Sequence, residues 1–141
     1  MQASLQDYEE RRGRRINWKK LIESRDDYPS VSKMEDPKYA GWVIHEWIKD
    51  RFSYMNVLFD QFTCWHEDGE IVYGKYDAWD GENIYEFKTK KHYTFSRGML
   101  PFDKDEEQMR DYMRSTRSRN GYIVYIDRKT FRVQTYEINL F

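Results

Sequence analysis

The chain has 141 residues with 24 Lys and Arg against 25 Asp and Glu, so the formal net charge is −1 and no global basic field draws it to nucleic acid. Aromatic residues make up 18% of the sequence, far more than disordered chains carry, so a packed core built from large rings is expected. A single cysteine, Cys64, excludes an internal disulfide framework, a cysteine-built zinc site and a four-cysteine iron–sulfur cluster. No apolar run approaches the ~20 residues of a membrane span and MQASLQDYEERRGRR is no signal peptide, so the chain reads as a soluble intracellular protein of one domain.

Residues 4–25 predict a helix that carries Arg11, Arg12, Arg14, Arg15, Lys19 and Lys20. It reads either as a solvated face or as a phosphate-contacting arm. Residues 26–37, with Pro29 and Pro37, predict a loop. From 38 to 53 the apolar positions Tyr39, Trp42, Val43, Trp47 and Ile48 follow the i, i+3, i+4 spacing of an amphipathic helix, with Gly41 and His45 one turn apart. From 54 to 94 the period changes. Val57, Phe59, Phe62, Cys64 and Trp65 mark one strand-like run, Ile71 to Ala78 a second and Ile84 to Tyr93 a third. Turns at 67–70 and 79–83 join them into a three-stranded meander. Residues 95–102 form a loop. A helix then starts near Asp103, with acids in its first turns and Arg114, Arg117 and Arg119 at its end, which suits the helix dipole. Asn120-Gly121 stops it, and strands at 122–127 and 131–138 follow. The order α-α-βββ-α-ββ is that of one α/β domain, with a basic helix-and-loop extension at 1–37 and a core at 38–141.

The hairpin from 71 to 91 carries the chemistry. Alternate residues of a strand share a face, so Glu86 and Lys88 point one way and Tyr85 and Phe87 the other. A turn at Gly81-Glu82 pairs Asp77 directly with Glu86; a turn at Asp80-Gly81 pairs Asp77 with Ile84. Both registers leave Asp77, Glu86 and Lys88 on one face. Two carboxylates in cross-strand contact repel, and a divalent cation is the usual remedy: Mg²⁺ or Mn²⁺ prefers carboxylate oxygens and activates water toward phosphorus. Lys88 adds a cation for charge on a phosphoryl oxygen. The bland alternative is a charged, solvated face with one surface ion pair. His45, mid-helix among apolar residues, reads as a buried hydrogen-bonded histidine or as a metal ligand. Gln108 and Tyr112, four apart, share a face of the 103–119 helix.

The succession Gly41-Trp-Val-Ile-His45, Gly74-Lys-Tyr-Asp77, Glu86-Phe-Lys88 and Gln108-Met-Arg-Asp-Tyr112 resembles the RecB-like branch of the PD-(D/E)XK nucleases, which includes the four-cysteine CRISPR-associated nucleases. The match runs from about residue 38 to 127. The resemblance implies a restriction-endonuclease-like core, an α-βββ-α-β mixed sheet flanked by helices. It implies His45, Asp77, Glu86 and the Phe87 carbonyl as metal ligands, Lys88 as the catalytic lysine, and Gln108 and Tyr112 at the site or on DNA. This chain departs from the four-cysteine members in having no residues for a cluster, and it is similar in size and style to the small nucleases of archaeal viruses and mobile elements.

With a net charge near zero, DNA binding must come from local patches: Arg11–Arg15, the run Lys88, Lys90, Lys91, His92 and Arg97, and Arg110–Arg119. The second, directly after the proposed catalytic strand, ranks first, and Tyr93 and Phe95 within it can stack on bases. The expectation is a Mg²⁺- or Mn²⁺-dependent deoxyribonuclease favouring linear DNA. A catalytically inactive nucleic-acid-binding or interaction module, and a nuclease for RNA or branched DNA, stay open at this point.

Overall fold

The structure is a computed structural model and describes residues 15–140. The elements run α1 (Trp18–Glu23), α2 (Pro37–Arg51), β1 (Leu58–Glu67), β2 (Glu70–Trp79), β3 (Asn83–Lys90), α3 (His92–Ser96), α4 (Asp103–Thr116), β4 (Asn120–Asp127) and β5 (Val133–Ile138). The strands form one mixed five-stranded sheet in the order β1-β2-β3-β4-β5. All neighbours are antiparallel except β3 and β4, which are parallel and joined by the crossover that contains α4.

Each helix is placed by its apolar stripe. Asp36 caps α2 by accepting from the Lys38 N–H, Pro37 sits in the first turn, and Ala40, Ile44, Trp47 and Ile48 are buried against one sheet face. The opposite face takes α4 through Met109, Tyr112 and Met113, which pack with Tyr76, Ile84, Ile123, Tyr125 and Ile138. Strand β4 is buried along almost its whole length because helices cover both of its faces.

The helix expected over residues 4–25 is a six-residue helix within the described part; residues 4–14, with Arg11, Arg12 and Arg14, lie outside the described residues. The segment set apart as an extension contributes to the main core. Trp18 is fully buried and meets Phe87, Phe52 and Tyr85 edge-on at 4.9, 5.6 and 5.9 Å. Ile16, Ile22 and Val31 join the same cluster. A short helix, α3, replaces the end of the third expected strand and the start of the loop that follows. The Lys91 side chain makes no cap hydrogen bond there, and the helix buries no residue, so the pattern gave no sign of it.

Candidate active site

Three acids from three consecutive strands lie in one row. Phe59 pairs with Ala78 and Gln61 with Tyr76, which sets Asp60 opposite Asp77; Ala78 pairs with Tyr85, which sets Asp77 opposite Glu86. The second register is the one made by a two-residue turn at Gly81-Glu82. Gly81 takes φ 100° there, and the Asp80 carboxylate accepts from the N–H groups of Glu82 and Asn83.

The row is also where the sheet changes character. The β1–β2 ladder skips Asp60 and Asp77, and the β2–β3 ladder runs only through Trp79–Ile84 and Ala78–Tyr85. Side-chain alternation reverses at the same place in both strands of the ribbon. Ala78 and Phe59 pack on the α2 side, whereas Tyr76 and Trp65 pack on the α4 side. Asp60 absorbs its share of the reversal with φ 55°, a left-handed value that aspartate tolerates better than most residues. Across β2 and β3 the carboxylates take over from the ladder. Asp77 N–H donates to Glu86 Oε1 at 2.8 Å, and Phe87 N–H donates to Asp77 Oδ2 at 2.7 Å.

Glu86 is 4% exposed. Burial, reinforced by the charge of Asp77, pushes its carboxyl well above the usual range, with Lys88 opposing. Burial raises Asp77 as well, against the opposing charge of His45 and the Phe87 N–H. Lys88 Nζ lies 3.7 Å from Glu86 Oε2 and donates to Gln108 Oε1 at 2.7 Å. Tyr112 stands behind the site, its ring meeting Tyr76 and Trp65 at 6.0 Å. That position requires Gly74, because a Cβ there would sit 2.6 Å from Tyr112 Cε1 and 3.0 Å from Trp65 Cζ3.

On the α2 side, His45 Nε2 meets Asp60 Oδ1 at 2.8 Å, while its Nδ1 is buried with no hydrogen-bond partner among the described residues. Lys49 Nζ reaches Asp60 Oδ2 at 2.5 Å and Lys75 Nζ lies 3.7 Å from Oδ1. Burial raises the Asp60 carboxyl, but hydrogen bonds from Lys49 and His45 outweigh it and hold the group below its ordinary value. One ligand atom from each of His45, Asp60 and Asp77 falls within 4.8 Å of the others, a trio suited to a cation.

The structure thus gathers His45 with Asp60 and Asp77 on the α2 side, and Glu86, Lys88 and Gln108 on the α4 side, the two groups joined where Asp77 meets the Glu86 strand, with Tyr112 behind. The Phe87 side chain goes into the core beneath α1, and its N–H serves Asp77. The residues read as DNA contacts are spread more widely. Lys90 lies over the Phe102 ring at 4.9 Å and 3.9 Å from Asp105, with burial lowering its pKa. His92 Nδ1 is bonded to the buried Asp127 at 2.7 Å. Arg97 lies over the Tyr93 ring at 5.2 Å and stays exposed, as does Lys91.

Sequence reasoning missed Asp60. A signal was present: counting pairs back from a two-residue turn at Asp68-Gly69 sets Asp60 opposite Asp77, the same arithmetic that set Asp77 opposite Glu86.

No family model and no curated protein matches the chain. Solved structures do resemble it. SSO0001 is similar over 74% of this chain, with a TM-score of 0.60 and 23% identity, and the chain spans about half of that protein, 52%. An alkaline exonuclease from Laribacter hongkongensis, LHK-Exo, is similar over 99% of this chain and 72% of its own length, with a TM-score of 0.50 and 12% identity. The likeness is one of fold: the chain is an α/β protein with the restriction-endonuclease-like architecture, a mixed sheet flanked by helices.

Proposed function

We propose that the protein is a metal-dependent deoxyribonuclease of the RecB-like PD-(D/E)XK type that hydrolyses phosphodiester bonds in linear DNA. One observation carries the reading. At the Asp77–Glu86 row two opposed carboxylates take the place of ladder hydrogen bonds, and Lys88 stands beside them. Like charges opposed there, Glu86 buried and Asp77 half-buried, call for a counter-ion.

The donor set fits a hard divalent cation. Carboxylate oxygens suit Mg²⁺ or Mn²⁺, and an imidazole is compatible with Mn²⁺ and with mixed sites. His45, Asp77, Glu86 and the Phe87 carbonyl would hold it. When bound, the cation supplies Lewis acidity toward a phosphoryl oxygen and lowers the pKa of water. Lys88, tethered by Gln108, contributes a donor to the charge that develops on the phosphoryl oxygens. The exposed Lys91 and Arg97 offer phosphate contacts along the approach and Gln108 lines it, while the buried Tyr112 supports the site from behind. SSO0001 and the Laribacter hongkongensis exonuclease support the reading through the shared fold.

The test uses linear and closed-circular plasmid with Mg²⁺, with Mn²⁺ and with EDTA, on wild type and Glu86→Ala side by side. The expected result is degradation of linear DNA by the wild type with metal alone, and a rate at least about a thousandfold lower for Glu86→Ala, as befits loss of a charge-stabilising group. Equal rates overturn the assignment, and chelator-insensitive DNA binding without cleavage identifies a passive binder.

A further inference from the structure

We propose that Asp60 is a further ligand of the divalent cation, kept in place in the metal-free protein by Lys49; the inference rests on the metal-dependent reading above. Three features single out this side chain. The first is position: Asp60 stands opposite Asp77 on the row that continues to Glu86, so the acids of β1, β2 and β3 form a single file. The second is backbone: at φ 55° and outside the ladder, the residue departs from strand geometry at the one point where its side chain meets His45. The third is convergence: ligand atoms of His45, Asp60 and Asp77 lie within 4.8 Å of one another, which small side-chain rotations bring to bond lengths of about 2.0–2.6 Å around one cation.

The present partners of Asp60 show what a cation must displace. Oδ1 is held by His45 Nε2 at 2.8 Å with Lys75 Nζ at 3.7 Å, and Oδ2 is held by Lys49 Nζ at 2.5 Å. One carboxylate therefore faces three nitrogen donors. Lys49 acts as an internal competitor. It also has a second acceptor in Glu46 Oε1 at 3.4 Å, so it can release Asp60 without being left unpaired.

The experiment measures binding of Mn²⁺ alone, without DNA, by titration calorimetry and by loss of the free-Mn²⁺ paramagnetic signal. Asp60→Asn is chosen because asparagine tolerates the left-handed backbone, and Asp60→Gly because glycine adopts it without strain. Melting curves in EDTA establish that each variant is folded, and Asp60→Asn decides if the glycine variant is not. Expected results are an affinity at least about tenfold weaker for Asp60→Asn, weaker still for Asp60→Gly, and several-fold tighter for Lys49→Met. Lys38→Met, which removes an exposed charge from the same helix with no contact to the trio, stays within about twofold of wild type and separates competition from general electrostatics. Equal affinities for wild type and Asp60→Asn overturn the role of Asp60 and leave the metal-dependent reading standing. A wild type that binds no Mn²⁺ overturns that reading and this inference with it.

Discussion

At the scale of single residues, Glu86 is the side chain whose protonation has the widest consequence. Its carboxyl is raised by burial and by Asp77, so in metal-free protein the folded state holds a proton that the unfolded chain releases near 4.5. Stability from this group is therefore complete below about 4.5 and declines as pH rises through the raised folded value. Asp60, Asp127 and Glu23 are lowered on balance, so their contributions fade at the acid end and leave the neutral range to Glu86 and Asp77. In EDTA the melting temperature is expected to fall between pH 5 and 8, and Mg²⁺ to restore it at the upper end. Glu86→Gln keeps an acceptor for the Asp77 N–H and removes the charge, so it should be more stable than wild type at pH 8 in EDTA by ~1–3 kcal/mol, the usual cost of an incompletely satisfied buried group. Thermal denaturation across that pH range, with and without Mg²⁺, checks both expectations. That Asp77 and Glu86 share a face was legible in the sequence because either two-residue turn gives it; their direct opposition, which depends on the turn at Gly81-Glu82, was one of two registers left open. The cluster around Asp60 was less so, since it needs a strand read through a second turn and a helix laid across the sheet.

At the scale of elements, the β1–β2 ribbon and α4 are keyed to each other by an absent side chain. Tyr112 is almost fully buried and has hydrogen-bonding contact with the Lys75 backbone, so its ring has nowhere to retreat from a methyl group at position 74. Gly74→Ala is expected to lose ~1–3 kcal/mol, typical of overpacking, measured as a lower urea midpoint at unchanged slope. Most element types follow from periodicity alone: α2, the meander and α4 were each readable from their own residues. What was not readable is tertiary in origin. The reversal of alternation at Asp60 and Asp77 violates the period-of-two rule that strand reading depends on. Lys90 and His92, which read as part of a surface charge run, are engaged with Asp105, Phe102 and Asp127, partners 12 to 35 positions away.

For the molecule as a whole, charge near zero makes any hold on DNA a local affair. With Lys90 drawn in against Phe102 and Asp105, and the exposed His92 tied to Asp127 through Nδ1, the patch beside β3 is reduced chiefly to Lys91 and Arg97. Each phosphate contact contributes about −0.9 to the slope of log affinity against log salt. The double variant Lys91→Ala/Arg97→Ala is thus expected to flatten that slope by about 2, with filter binding of duplex DNA to the Glu86→Gln background as the measurement. The amino-terminal segment belongs to the same whole. Trp18 packs against Phe52 at the end of α2 and against Phe87 of β3, so the part of the chain that read as a basic appendage contributes a wall of the core on which Phe87 rests. Its buried ring, hidden in a stretch of charges, offered no helical stripe by which to recognise it.

The switch of facing at Asp60 and Asp77 divides the ribbon into two phases that meet at a joint. Beyond it, Phe62, Tyr73 and Ile71 lie open to solvent while Trp65 and Tyr76 turn inward; before it, the same parity has the opposite meaning. Length can therefore vary at the tip in matched pairs without disturbing the joint. Excising His66 and Glu67 with Glu70 and Ile71 would bring Trp65 and Val72 to the Asp68–Gly69 bend and leave every remaining side chain on its own side. The far arm is a graft point, and the acids at the joint are insulated from what is grafted there.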